Sequence, residues 1–339
     1  MKKKLIALLQ FAIGIGLIAF IFYRMDNKSD MLEALRAGAQ HWPIMVLGVS
    51  SFLVCLLLCM LRWKLLLDAR GMHLPFGRIF QLYFIGQFFN SFLFGATGGD
   101  VVKAWFVTRE MPDRKTEAVS TVVLDRIIGL AALVILTVII MLFQLPFFLA
   151  HEATRWSLVF FGALLGGMIG FLALTFGHNW MERWAFFKRL EERTALGKII
   201  TRAYGTVRDC MQDPMLLVKT LTLSIANHVV LIGCAYGLGR GLEISLNFWG
   251  YLKVFPVINA VAAIPATPGG LGTREAAAKF LLGVLGVAES RAVLLSLLIY
   301  IAVLFWSLVG GGIYMLYIAK HGRRTEALEG SQGAGSEAG

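Results

Sequence analysis

Hydrophobic positions along this chain fall in long unbroken runs, not in the alternation of a half-buried strand or the narrow stripe of a soluble amphipathic helix. Runs near residues 5–22, 43–61, 117–142, 156–176, 215–238 and 291–318 are each long enough to cross about 30 Å of hydrocarbon as a helix. Two further runs, 79–96 and 249–266, stop at a glycine turn. The first turn reads Gly95-Ala96-Thr97-Gly98-Gly99-Asp100 and the second Pro265-Ala266-Thr267-Pro268-Gly269-Gly270-Leu271-Gly272. Each is followed by a short helix-like run that begins with charge. The pattern predicts six spans and two broken segments.

Composition agrees with that reading. Hydrophobic residues make up 58% of the 339 and charged residues 16%, with a mean hydropathy of +0.71, beyond what a soluble globular chain of this length carries. The net charge of +11 is spread by loop and not massed on one soluble domain, so it predicts topology and not a nucleic-acid partner. Lys2, Lys3 and Lys4 assign the N-terminus to the cytoplasm. Basic clusters recur at Arg62, Lys64, Arg70 and Arg78, at Lys103, Arg109, Arg114 and Lys115, through 183–208, and at Lys320, Arg323 and Arg324. The loops 144–155 and 241–248 carry almost no Lys or Arg and are assigned outside. These assignments alternate correctly only if each glycine-interrupted segment returns to its own side. Two opposed re-entrant hairpins are therefore predicted, in a bacterial-type inner membrane with both termini cytoplasmic.

The expected fold is an all-α integral membrane protein, a polytopic helical bundle in which a leading span is followed by two similar halves. In the first, a span at 43–61 runs inward, a hairpin covers 79–110 and a span at 117–142 runs outward. After a returning span at 156–176, the second half repeats the order with reversed orientation: 215–238, a hairpin over 249–287, and 291–318. Broken segments at matching places in inverted halves mark a translocation site. Residues 1–320 are expected to form one transmembrane domain. Within it, 178–214 interleaves Trp180, Trp184, Phe186, Phe187 and Leu190 with arginines and lysines, as an amphipathic connector on an anionic inner leaflet does. Residues 321–339 lack an apolar face and are expected to be a disordered cytoplasmic tail. The lysine-rich start has no small-residue cleavage site and reads as an uncleaved span.

Irregular backbone persists in hydrocarbon only where protein or a water-filled cavity satisfies it. A broken helix also leaves free N–H groups at its new N-terminus, which favour an anion. The turn residues Gly98, Gly99, Gly269 and Gly270 are therefore candidate substrate-binding positions, with tight helix packing as their other reading. Asn90 and Asn259 precede the two turns at similar distances. Charges inside spans are costly and by default functional. Lys103, Arg126 and Arg274 are candidates to attract a lipid phosphate, while Asp100, Asp125 and Glu275 balance charge or carry protons. A purely structural ion-pair network around Asp125 and Arg126 is the competing reading. Cys55, Cys59, Cys210 and Cys234 have no metal-ligand or disulfide spacing and are assigned to packing. His151-Glu152 lacks a second histidine for a zinc site. His228, beside Asn227, is assigned to an interhelical hydrogen bond. Neither a metal nor a cofactor is expected.

The Gly-Gly-Asp turn followed by Lys103, the Leu124-Asp125-Arg126 motif, and above all Pro265 through Gly272 with Thr273-Arg274-Glu275 resemble the flippase-like family that includes the transmembrane region of lysylphosphatidylglycerol synthase. The resemblance covers roughly residues 5–320. It departs at Asp125, where many relatives carry Glu, and before the first turn, which lacks their proline. It implies an inner-membrane protein that moves a lipid, and some relatives add a cytosolic aminoacyltransferase domain. Only the short tail follows Lys320, so no enzyme of that kind is expected. The function predicted is translocation of an anionic phospholipid or a polyprenyl-phosphate-type lipid by alternating access. The alternatives are a membrane-embedded lipid-modifying enzyme and a non-transporting partner that recruits a lipid synthase. The expected partners are the lipid substrate, the anionic leaflet, and either a lipid synthase or further copies of the chain.

Overall fold

The computed structural model describes residues 28–92, 98–177, 205, 208–209, 212–264, 267 and 270–336. The predicted first span at 5–22, most of the 178–214 connector, Cys210 and Gly269 lie outside the described residues. Among those described there is no strand, and the fold is that of an all-α integral membrane protein. Its helices are α1 (Lys28–Gln40), α2 (Trp42–Ala69), α3 (Phe76–Phe92), α4 (Gly98–Glu110), α5 (Lys115–Phe143), α6 (Leu145–Ala150), α7 (Glu152–Gly177), α8 (Pro214–Gly241), α9 (Phe248–Ala263), α10 (Thr273–Val284) and α11 (Glu289–Ser336).

Among the described residues, four stretches are long and apolar enough to cross a membrane: Trp42–Ala69, Pro112–Phe143, Pro214–Gly241 and Glu289–Lys320. At 1.5 Å per residue the 28 residues of α2 reach about 42 Å. Their outer faces remain apolar and exposed, as at Leu47, Leu142, Phe143, Leu308 and Leu316, which is the surface expected of a helix facing lipid chains. The run at 156–176 lies within α7. Beyond Lys320, α11 continues to Ser336, into the stretch expected to be disordered. A helix already nucleated adds each residue without a new nucleation cost.

Helices α3 and α4, and again α9 and α10, form helical hairpins whose legs are shorter than the long apolar helices. Their 17, 13, 16 and 12 residues correspond to about 18 to 26 Å each. In the first hairpin Arg78 pairs with Glu110, Gly86 abuts Lys103, and Gly99 N donates to Asn90 Oδ1 at 2.8 Å. The legs are thus antiparallel.

The halves pack as an inverted pair. Exchanging α2 with α8, α3 with α9, α4 with α10 and α5 with α11 carries every close helix contact among these eight onto another close contact. The central pair, α2 and α8, is antiparallel: Cys234 Sγ donates to Gly48 O at 2.8 Å, Cys55 Sγ lies 3.8 Å from Asn227 O, and Arg62 Nη1 donates to Ser224 Oγ at 2.8 Å. Equivalent helices of opposite direction make the repeat inverted. Each half has its own apolar core, one around Met60, Trp63, Ile79, Phe84 and Val122, the other around Leu238, Tyr251, Phe255, Leu282 and Leu295. Helices α6 and α7 pack outside α5, and α1 is pinned to α11 by Asp30 against Ser290 and Arg291.

The two glycine turns work differently. Gly270 and Gly272 have φ of 73° and 85°, the left-handed region that glycine enters without strain. Glu275 then accepts from Gly272 N to cap α10. Gly99 is instead required by space, since a Cβ there would strike the Gly86 carbonyl and the Asn90 backbone. Gly99→Ala should therefore destabilise the protein by about 1–3 kcal/mol, the usual cost of overpacking. Gly162→Ala, where space is open, should stay within about 0.5 kcal/mol. Thermal unfolding in detergent checks both, and equal melting of the two variants would mean that the hairpin does not close as described.

Candidate functional site

A cavity of about 350 Å³ lies where the halves meet. Its charged lining residues are Arg62 from α2, Asp100 from α4, Asp125 and Arg126 from α5, and Arg274 from α10. The volume falls within the range of small-molecule sites, about 300–1,000 Å³.

Arg62 is the residue that the linear pattern misplaced. Its charge ended the predicted span at 61 and put it in a cytoplasmic loop cluster with Lys64. Both residues lie inside α2, and Arg62 is 5% exposed. The resumed run Leu65-Leu66-Leu67 was the available signal that the charge sits within the helix. Arg62 Nε donates to Asp125 Oδ1 at 2.7 Å and Nη1 to Ser224 Oγ at 2.8 Å. Gly129 leaves room for the guanidinium, because a Cβ there would lie 3.2 Å from Nη1. Lys64 pairs with Asp68 one turn on.

Asp125 also takes Lys103, whose Nζ is 3.4 Å away and 3.9 Å from Asp100. Lys103 is 3% exposed and sits 4.7 Å from the ring centres of both Trp63 and Tyr83, where ring quadrupoles offset part of its lost hydration. It supports Asp125 from behind and does not line the cavity. Asp100 instead receives Arg126, with Nε at 2.9 Å and Nη2 at 2.8 Å. This pair is partly open, with the Arg126 side chain 38% exposed.

In the second half, Arg274 Nε donates to Ser296 Oγ at 3.1 Å and Nη2 lies 3.4 Å from Glu275 Oε1. Ser296 also donates to that oxygen at 2.9 Å. Glu275 is fully buried and occupied by its cap and these two donors, so it faces away from the cavity that Arg274 lines. Tyr300 lies 5.4 Å from the Arg274 guanidinium.

The fold thus gathers Arg126, Arg274, Asp100 and Asp125 at the cavity, adds Arg62, and sets Lys103 and Glu275 one layer back. Gly98 opens α4, while Gly99 and Gly270 shape the hairpins behind the lining. In this cluster four cations (Arg62, Lys103, Arg126, Arg274) meet three carboxylates (Asp100, Asp125, Glu275). Among the described residues the cluster thus holds one more cation than carboxylates, a balance that suits an anion.

The uncharged polar lining includes Gln87, Asn90, Asn227, His228 and Asn259. His228 Nε2 bonds Gly129 O at 3.1 Å, joining α8 to α5 as the sequence predicted. Cys55, Cys59 and Cys234 are free thiols, two of them in the α2–α8 contact. No group of three or more potential metal ligands occurs among the described residues.

Comparison with known proteins agrees with this architecture. A UPF0104 membrane protein of Pyrococcus horikoshii is 24% identical over 334 aligned residues, 92% of this chain and 96% of the relative. The model of the family described as "Lysylphosphatidylglycerol synthase TM region" matches residues 7–311. That match reaches from before α1 into α11 and takes in both halves with the cavity between them, so this multi-pass membrane protein belongs to the family of the lysylphosphatidylglycerol synthase TM region.

Proposed function

We propose that the protein translocates an anionic lipid, a phospholipid or a polyprenyl-phosphate-type lipid, across the membrane by alternating access. The observation that carries this reading is the arginine-lined cavity built jointly by two inverted halves, in which the cations outnumber the carboxylates by one among the described residues. A phosphate there neutralises the excess, and bidentate arginine contacts suit its oxygens. The hairpins dip into the membrane from opposite faces and return, which fits their short legs and the loop charge bias. Small rotations of one half against the other then expose the cavity to each side in turn. Lys2 to Lys4 and the basic loops favour cytoplasmic termini in an inner membrane. The family name favours a lipid substrate. A catalytic reading would need a nucleophile or an acid–base pair free to react, whereas Asp125 and Glu275 are each held by cations and donors.

Purified protein reconstituted into proteoliposomes tests the proposal. Lipids with a fluorophore on the acyl chain should exchange leaflets faster than in empty vesicles, and absence of exchange by folded protein would refute it. Asp100 is the carboxylate that combines cavity lining with partial exposure, 23% of its side chain. If proton movement is coupled to transport, it runs through this residue. Flux should then respond to an imposed pH gradient, and Asp100→Asn should lose the response. Identical wild-type flux with and without the gradient rules coupling out.

A further inference from the structure

Two further cavities lie outside the central one and share none of its lining residues. The first, of about 460 Å³, sits between the start of α3 and the end of α11. Gly77, Phe80 and Gln81 line it from α3, facing Ile313, Leu316, Tyr317 and Lys320. The second, of about 610 Å³, sits between the start of α9 and the end of α5. Trp249, Leu252 and Lys253 line it from α9, facing Leu136, Ile139, Ile140 and Phe143. The exchange of halves that carries α3 onto α9 and α5 onto α11 carries one cavity onto the other. Gly77 and Trp249 are each the second residue of their helix, and both lining sets continue at i+3 and i+4. On α11 and α5 the spacing is i, i+3, i+4 and i+7 in both. A hollow repeated position by position in two halves belongs to the architecture and is not a local packing gap.

The two grooves open at opposite faces of the membrane. Arg78, beside the first, pairs with Glu110 at the end of α4, and a short turn leads from there to Lys115, where α5 begins. The second groove lies at the far end of α5, whose 29 residues reach about 43 Å. Both face outward, with Leu316 73%, Phe143 82% and Trp249 64% exposed. The i, i+3, i+4, i+7 spacing makes one continuous helix face, largely apolar in both grooves.

Each groove also carries a lysine, Lys320 in the first and Lys253 in the second. Lysine ion pairs among the described residues are made by Lys64, Lys103 and Lys279, so neither groove lysine is balanced by a described carboxylate. Lys253 Nζ lies 5.2 Å from the centre of the Phe147 ring. Arg78, by contrast, is met by Glu110. Tyr317 and Trp249 share the grooves with these lysines, as aromatic residues do at head-group level. A cation at the rim of an apolar groove matches an amphiphile with an anionic head. A soluble anion makes no use of the apolar face, and a zwitterionic lipid brings an ammonium of its own.

We propose that each groove holds one anionic phospholipid, its phosphate on Lys320 or Lys253 and an acyl chain along the apolar face, giving the protein a matched pair of lipid sites, one in each leaflet. These sites are separate from the central cavity and do not depend on translocation.

Tryptophan quenching in the intact protein tests the proposal. Trp249 reports on the second groove, its signal being the difference between wild type and Trp249→Phe. Gly77→Trp, at a position where an added side chain meets open space, puts the same reporter at the matching place in the first. The protein is reconstituted in mixtures of phosphatidylcholine and phosphatidylglycerol, with one of the two lipids brominated near the glycerol end of its chains. Phosphatidylglycerol should half-quench each reporter at about a fivefold lower mole fraction than phosphatidylcholine, as expected for one lysine at a membrane surface. Lys253→Gln should abolish the preference in the second groove and leave it in the first, and Lys320→Gln should do the reverse. Equal quenching by the two lipids would overturn the inference, as would a preference unchanged by the lysine substitutions. Loss of the preference on adding inorganic phosphate at fixed ionic strength would assign the lysines to a soluble anion and overturn it too.

Discussion

Arg62→Ala should lower stability by about 3–5 kcal/mol, the usual cost of breaking a buried ion pair from one side. The Arg62–Asp125 pair is among the most enclosed charge contacts among the described residues, with side chains 6% and 5% exposed. It also ties α2 of one half to Ser224 on α8 of the other. Removing the guanidinium leaves Asp125 with Lys103 alone at 3.4 Å and opens a void against Gly129. The double variant Arg62→Leu with Asp125→Leu should recover only part of the loss, because it removes the stranded carboxylate but leaves buried Lys103 with Asp100 at 3.9 Å as its remaining carboxylate. Thermal unfolding of purified protein measures both against wild type. A single variant as stable as wild type would mean that Arg62 does not hold α2 against α5 and α8 and is available to substrate.

Arg274→Ala should reduce lipid exchange by about 10- to 100-fold. Charged hydrogen bonds contribute about 1.5–3 kcal/mol, and each 1.4 kcal/mol is about a factor of ten. Arg274 is 6% exposed and held by Ser296, Glu275 and Tyr300 at the start of α10, so its guanidinium is oriented before any lipid arrives. Arg274→Lys should keep part of the activity, since it preserves charge but loses the planar fork. Arg126→Ala should lower exchange with little effect on melting, because its pair with Asp100 is partly exposed and screened. The measurement is exchange rate alongside melting temperature. Loss of activity that tracks loss of stability across the three variants would assign these residues to structure alone.

Much of the site was legible because its residues are costly where they stand. A charge within an apolar run is rare unless something compensates it, and this principle marked Asp125 and Arg126, while Arg274 was marked by its place directly after the second glycine turn. It failed at Arg62 for a definite reason. A charge near the end of an apolar run is indistinguishable in one dimension from a charge that ends it, and only the partner on α5 shows which applies. Lys103 and Glu275 were identified as charged residues of the site, yet linear spacing does not tell which way a helical side chain turns. Trp63 and Tyr83 draw Lys103 behind Asp125, and the capping of Gly272 draws Glu275 back onto its own backbone.

Hydrophobic run length by itself determined the all-helical class, the long spans and the existence of two shorter broken segments, because backbone in hydrocarbon must satisfy its hydrogen bonds internally. The repeated glycine turn determined the twofold organisation. Only the tertiary structure decided that Gly99 is required by the approach of Gly86 and Asn90, whereas Gly270 and Gly272 are required by their backbone angles. It alone decided the antiparallel seam of α2 on α8, the pairing of each cation with its carboxylate, and the convergence of Asn227, His228 and Asn259 on one cavity. These are contacts between residues far apart in the chain. Periodicity and composition record the environment a side chain needs, but not which distant side chain supplies it.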